Sequence, residues 1–468
     1  MNFQIDYILL ILVFFCPAVL LSKRIFKGEN RILLLLITPI VGSFFWILSS
    51  IILPLNYFIT NKYLGLAVIA STLLLIFFQA NKLEQYKNLF ILSFSLYVCE
   101  MINENYGVIH NVATASYAIE SAKLNLNMLY SRIPVPPLQV AGMKFMNNSV
   151  MLVTINQYIG FSLLLFNLEF ISQYFKIKRG RLYLFVFPVF TIFCVLLEVA
   201  SGRTHLVASQ LLTLLFLLSL ADSKHGTVLK NVYLLSVFLL ITSRLESLLL
   251  YGPSLLLLSI NYLAKTKVDI GRIFLVFCAG ISINLLATSS IEDLRSSFLN
   301  IFIAILFIMF LKYREDKIIN KFITKINLLI SLFIILIGFV AYSFYGSLAL
   351  NSWASVVTHL LDTHQNWVVS SLLLASMVVF SLSHTDDIFT KKFITQLSLV
   401  VLLIVITSPF QHSIYGGSDW TNGLVEMPIY NPFDESQTRS ILQVLLSLTP
   451  ISALVLNKAK EDSPKQIN

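Results

Sequence analysis

Apolar runs close to the length that crosses a lipid bilayer recur along this chain from Tyr7 to Leu456. A transmembrane helix needs about 20 apolar residues, because the hydrocarbon core is roughly 30 Å thick. Only 12% of the residues are charged, whereas soluble globular proteins carry about 25%. The sequence therefore predicts an all-α fold, a polytopic transmembrane helical bundle of about 12–15 spans.

Basic residues are distributed unevenly among the connections between these apolar runs. If alternate connections lie on opposite sides of a membrane, one side receives most of the 33 Lys and Arg residues. The positive-inside rule assigns that side to the cytoplasm, so the net charge of +9 predicts sidedness and not a nucleic-acid partner. We expect an integral protein of a bacterial inner (plasma) membrane, in contact with membrane lipids, with its N-terminus outside and its C-terminus cytoplasmic.

Three of the predicted outer connections are long, namely 104–148, 345–366 and 409–440. The cations on this side are mainly arginines, whose planar guanidinium binds a phosphate with two hydrogen bonds, which lysine cannot do. Transporters usually have short connections and place ionisable groups near the bilayer midplane. This pattern favours a site on the outer face that binds a phosphorylated lipid.

The stretch TSRLESLLLYGPSLLLL places Arg244 and Glu246 inside a long apolar run. The helix from Lys230 to Arg244 is about 20 Å long at 1.5 Å per residue, so both charges are expected near the outer interface, on a turn between two helices. A mutual ion pair, or an arginine that reaches lipid headgroups, fits the same charges. Ionisable groups at membrane depth cost about 2.5–3.5 kcal/mol each, which favours a functional role.

The run FLLITSRLESLLLYGPSLLLL resembles a segment of the GT-C glycosyltransferases, a superfamily that includes protein O-mannosyltransferases and lipid A aminoarabinose transferases. In that segment a helix ends in a Thr-Arg turn and an apolar helix with a proline follows; the matching residues here are Thr242, Arg244 and Pro253. Three more stretches are similar in order and sidedness: SRIPVPPLQVAGMKFMNNSVMLVTINQYIGFSLLLF, ASGRTHLVASQLLTLLFLLSLAD and TRSILQVLLSLTPISALVL.

The resemblance covers residues 86–468. It implies a GT-C-like transmembrane core in which a large first outer loop carries membrane-parallel helices, and it leaves residues 1–85 as an N-terminal extension of three spans. The implied function is a glycosyltransferase, hexosyl or pentosyl, that moves a sugar from a polyprenyl-phosphate donor to a glycan, lipid or protein acceptor. The reaction would take place on the outer (periplasmic) face, in glycosylation of cell-surface glycan, lipopolysaccharide or protein.

Two alternatives stay open. One is an O-antigen-type glycan polymerase or ligase, and the other is a lipid-linked glycan transporter or flippase without covalent chemistry. The sequence predicts no cofactor, and a divalent metal ion is not excluded.

Sugar transfer needs a base that accepts the proton of the acceptor hydroxyl and a cation that stabilises the departing phosphate. For the phosphate, the resemblance implies Arg244 and Arg439, and Arg203 is a further candidate because it too is expected at an outer helix end. For the base, the stretch CEMINENYGVIH supplies Glu104, with Glu100 and His110 as further candidates, although family members often carry adjacent acidic residues there.

Glu104 follows a predicted span that ends near Ile102, which places it at the membrane surface. A hydrated loop carboxylate would occupy the same position. After His110, a helix of mixed polarity is expected to lie along the interface.

The last long outer connection contains candidates for sugar or acceptor binding. Tyr415 and Trp420 would stack on sugar rings, and Asp419 would bind hydroxyl groups. Aromatic residues at this depth also suit the belt that membrane proteins place at the lipid interface.

Overall fold

The computed structural model describes residues 2–26, 30–52, 62–106, 149–180, 182–184, 205–220 and 226–243, with a few single positions from 255 to 280. These ranges contain seven helices of at least 16 residues and no strand, which confirms the all-helical class for the part described. The helices are α1 (Asn2–Ile25), α2 (Arg31–Ile52), α3 (Lys62–Phe77), α4 (Lys82–Tyr106), α5 (Ser149–Tyr174), α6 (His205–Leu220) and α7 (Gly226–Ser243).

Local sequence signals explain where α2 and α5 begin or end. Asn30 caps α2, because its side-chain oxygen accepts a hydrogen bond from the Ile32 N–H at 3.0 Å. At the end of α5, Lys176 has a φ of 58°, the left-handed conformation that commonly terminates a helix. The Ser172 hydroxyl donates to the Ile177 carbonyl at 2.8 Å and stabilises the turn that follows the helix.

Several hydroxyl groups within the apolar helices donate hydrogen bonds to their own helix. Ser22 donates to the Ala18 carbonyl at 2.6 Å, and Ser236 donates to the Val232 carbonyl at 2.7 Å. This back-bonding lets a helix carry serine in apolar surroundings, where an unsatisfied hydroxyl would cost free energy.

By length and composition alone, α1 and α2 could cross a membrane. The windows Ile8–Ile25 and Arg31–Leu48 have mean hydropathies of 2.2 and 2.1, and about half of each window is buried inside the protein. Helices α3, α6 and α7 contain shorter apolar stretches.

One hydrophobic core joins the helices. Helix α1 packs against α2, α3 and α4, while the central α5 packs against α2, α4 and α6. The approach of α1 to α2 is close at Gly42, where a Cβ would lie 3.2 Å from the Ala18 Cβ. The Trp46 indole nitrogen also donates to the Phe14 carbonyl at 3.4 Å.

The predicted division after residue 85 falls in the first turn of α4, which begins at Lys82. Contacts of α1 with α4 and of α2 with α5 connect the N-terminal helices to those that follow. The division into an extension and a core therefore stays a prediction, and the outer loops 104–148, 345–366 and 409–440 lie almost wholly outside the described residues.

Several helix ends meet at one end of the bundle. Arg31, at the start of α2, lies 3.7 Å from the Glu84 carboxylate and donates to the Asn88 side chain at 3.3 Å, both near the start of α4. Asn231, early in α7, donates to the Ile25 carbonyl at the end of α1 with a distance of 3.0 Å.

Phe26, Leu33, Tyr174 and Leu229 line one small apolar cavity, so the end of α5 lies there too. We call this the basic end, because it carries the connections predicted to be cytoplasmic. The ends of α1 and α5 and the starts of α2, α4 and α7 lie together there.

Candidate functional site

Among the predicted site residues, the structure describes the side chain of Glu100 and the helix backbone at Glu104. The others lie outside the described residues: His110, Arg203, Arg244, Tyr415, Asp419, Trp420 and Arg439. The arrangement of the phosphate-binding arginines and of the sugar-binding loop therefore stays a prediction.

Glu100 lies on the core-facing side of α4. The buried residues Leu89, Leu92 and Leu96 precede it at intervals of three to four residues, which places all four side chains on one face of the helix. Glu100 is itself only 2% exposed. Burying a carboxylate is costly, and an ionisable group at membrane depth is by default a candidate functional residue.

The position of Glu100 along α4 is as informative as its burial. It lies about 27 Å along the helix axis from Lys82 at 1.5 Å per residue, close to the end of the bundle opposite the basic end. If the hydrocarbon core is roughly 30 Å thick and the basic end is cytoplasmic, Glu100 lies just inside the outer boundary.

Helix α4 continues to Tyr106, one turn past the predicted end of the span near Ile102. The sequence has no glycine or proline from Lys82 until Gly107, so nothing interrupts the helix earlier. Glu104 is therefore one turn beyond Glu100 and on the same face of the same helix. It belongs to the last turn of α4, although its side chain is outside the described part of the chain.

A polar contact joins α4 to α5 on the side of Glu100 that is nearer to the basic end. The Tyr158 hydroxyl and the Ser95 hydroxyl are 2.6 Å apart, and either can donate. Because α4 leaves the basic end and α5 returns to it, residues before Tyr158 lie at the level of residues after Ser95. Thr154 is four residues before Tyr158 and Glu100 is five residues after Ser95, so the two lie at about the same height in the bundle. Thr154 is fully buried.

The sequence predicted Glu100 but not Ser95, Tyr158 or Thr154. One signal was available, because Thr154 and Tyr158 are four residues apart and share a face of α5. Which helix that face meets depends on tertiary packing, so the partner Ser95 had no signal in the sequence.

The end of α7 approaches the position predicted for Arg244. Thr242 and Ser243 are fully buried, and their hydroxyls donate to the carbonyls of Phe238 at 3.0 Å and Leu240 at 2.8 Å. Helix α7 starts at the basic end and finishes at Ser243. Ser243 therefore lies at the end of the bundle opposite the basic end, as Glu100 does, and Arg244 is outside the described residues.

Within the ranges that the structure describes, no three His, Cys, Asp or Glu side chains are grouped so as to hold a metal ion. Around Glu100, the described polar side chains include its own buried carboxylate and the hydroxyls of Ser95, Thr154 and Tyr158.

No family model, no curated protein and no solved structure matches this chain. The resemblance to the GT-C glycosyltransferases thus rests on the sequence stretches quoted above.

Proposed function

We propose that this chain is a polytopic membrane glycosyltransferase of the GT-C kind. It moves a sugar from a polyprenyl-phosphate donor to a glycan, lipid or protein acceptor on the outer face of the membrane. The observation that carries the proposal is the position of Glu100, a carboxylate that is 2% exposed and lies at the opposite end of α4 from the basic connections. A base at that height is level with the phosphate of a lipid donor in the outer leaflet.

Two features support the membrane location. The windows in α1 and α2 are long and apolar enough to span a bilayer. The basic end gathers Arg31, the last turn of α1 with Lys23 and Arg24, and the connection after α5 with Lys176 and Lys178, as the positive-inside rule expects of a cytoplasmic face.

The proposed reaction uses the carboxylate of Glu104 or Glu100 as a general base. It takes the proton from the acceptor hydroxyl while that oxygen forms a bond to the anomeric carbon of the donor sugar. The bond between the anomeric carbon and the phosphate oxygen breaks, and its electron pair leaves with the polyprenyl phosphate. Arg244, with Arg203 and Arg439, stabilises the negative charge on that phosphate.

The test is a transfer assay with purified protein in liposomes. The protein is incubated with a panel of polyprenyl-phosphate sugars, and the release of polyprenyl phosphate is measured together with the appearance of labelled sugar on an acceptor. We expect both with at least one donor. Glu84→Gln is the matched control for replacing Glu100 or Glu104 by glutamine. Glu84 is also a carboxylate on α4, but it is partly exposed and lies at the basic end.

Two outcomes would contradict the proposal. Movement of the donor across the liposome membrane without release of polyprenyl phosphate would indicate a flippase. Consumption of only those carriers that already bear an oligosaccharide would indicate a polymerase or ligase.

A further inference from the structure

The outward side of α3 and α4 is apolar over most of its length, from Leu64 on α3 to Phe77 and from Phe90 to Ile102 on α4. Large apolar side chains are exposed along both helices, and we call this surface the α3–α4 face. It is marked by Leu74, Phe77, Phe90, Phe94, Val98 and Ile102.

On α4 the exposed residues form a continuous ridge. Phe90, Phe94, Val98 and Ile102 recur every four residues, on the side away from the core-facing Leu96. The rings of Phe90 and Phe94 are 70% and 57% exposed and stack on each other with centroids 5.9 Å apart. Exposure of such side chains to water is unfavourable, because removing apolar surface from water lowers the free energy, so the ridge favours an apolar neighbour.

The ridge covers a large part of the thickness of a bilayer. From Phe90 to Ile102, α4 rises by about 18 Å, compared with the roughly 30 Å of a hydrocarbon core. The ridge carries no charged residue between Lys87 and Ile102. On α3 the exposed Ser71 donates its hydroxyl to the Ala67 carbonyl at 2.6 Å, so it presents no unsatisfied donor to an apolar neighbour.

The border of the face at the basic end also suits a membrane interface. The Lys82 ammonium lies 4.3 Å from the centroid of the Phe77 ring, a cation above an aromatic side chain. Lysine and aromatic residues commonly occupy the zone where acyl chains meet headgroups.

We infer that the α3–α4 face lies against the acyl chains of phospholipids, and that α3 and α4 form a lipid-facing edge of the bundle. Helices α1 and α2, although long and apolar enough to span a bilayer, are partly enclosed by their neighbours. A second copy of the chain suits the ridge less well, because helix contacts in membranes favour small residues that allow close approach, and this ridge is built from Phe, Val and Ile. The inference rests on the membrane location proposed above and not on sugar transfer.

The test uses single spin labels on protein in which Cys16, Cys99, Cys194 and Cys278 are replaced by alanine. Labels are attached to Phe94→Cys on the ridge and, as the matched control, to Leu96→Cys on the buried side of the same helix. The protein is reconstituted in vesicles of phosphatidylcholine and phosphatidylglycerol. Collision of each label is measured with oxygen, which concentrates in hydrocarbon, and with a water-soluble nickel chelate.

We expect the Phe94 label to collide with oxygen several-fold more than with the chelate, and the Leu96 label to be shielded from both. Val98→Cys is a second ridge position that should behave like Phe94, in case one variant does not fold. High collision with the chelate at both ridge positions would overturn the inference and remove the membrane location as well. Shielding from both reagents, with spin–spin broadening between copies, would overturn it in favour of a protein interface. An inactive protein whose ridge labels report oxygen would leave the inference standing and count only against sugar transfer.

Discussion

The Arg179 guanidinium donates a hydrogen bond to the Glu169 carboxylate, which is 1% exposed on α5. The Gln173 side chain donates to the same oxygen at 2.8 Å. Arg179 belongs to the short basic connection after α5 and is half exposed. This contact anchors the connection at the basic end to the interior of the bundle.

Arg179→Ala is expected to destabilise the protein by about 1–3 kcal/mol, because it leaves a buried carboxylate with one fewer donor. The measurement is thermal unfolding in detergent. Lys178→Ala is the matched control, since Lys178 is exposed in the same connection. In the double variant with Glu169→Gln, the loss should be smaller, because the buried charge is gone. Equal unfolding temperatures for the Arg179 and Lys178 variants would show that the contact contributes nothing.

Replacing the carboxylates near the end of α4 tests the proposed base. Glu104→Gln or Glu100→Gln keeps size and hydrogen bonding but cannot accept a proton, so the variant that removes the base should lose about 10²–10⁴-fold in transfer rate. Donor binding and the protein level in the membrane should be unchanged. Loss in the Glu100 variant alone would assign the base one helical turn further into the bundle. Full activity in both would eliminate this part of the mechanism.

Arg244→Lys tests the phosphate site while keeping the charge. We expect weaker use of the polyprenyl-phosphate donor, because lysine cannot form the paired hydrogen bonds of a guanidinium. Arg272→Lys, at a position predicted to be cytoplasmic, is the control and should not change donor affinity. A lysine variant at 244 with the turnover and affinity of the parent would make Arg244 a structural residue.

Reporter fusions test the predicted sidedness. Fusions after Arg181, Lys267 and Lys325 should report a cytoplasmic position, and fusions at Asn127 and Gly417 should report an external one. A cytoplasmic signal at Asn127 would place the first long connection in the wrong compartment and overturn the proposed site.

Helix formation in the described part was predictable, because it depends on local properties of the chain. Apolar runs of the right length mark α1 and α2, and the absence of glycine and proline before Gly107 allows α4 to continue. Hydropathy alone ended the span near Ile102, since hydropathy reports where a membrane would end and not where helical hydrogen bonding stops. Tyr106 is the actual end of the helix.

Within the proposed site, the sequence indicates only residues whose type is unusual for their surroundings. Glu100 stands out as a carboxylate close to the end of an apolar helix, and its burial is what a functional role would require. The contact between Ser95 and Tyr158 spans 63 positions in the chain, so it depends on the register of two helices against each other. Likewise, the sequence does not distinguish Arg179 from the neighbouring basic residues, and it does not indicate that Arg179 contacts the buried Glu169 carboxylate.

The contact of α2 with α5 also has a consequence for biosynthesis. Roughly 100 residues separate the two helices, so at about 5–20 residues per second a ribosome completes α2 some 5–20 seconds before α5 exists. In the membrane protein proposed above, the side of α2 that later meets α5 contacts lipid or the insertion machinery during that interval. Assembly of the core then replaces these first contacts of α2 with contacts to α5.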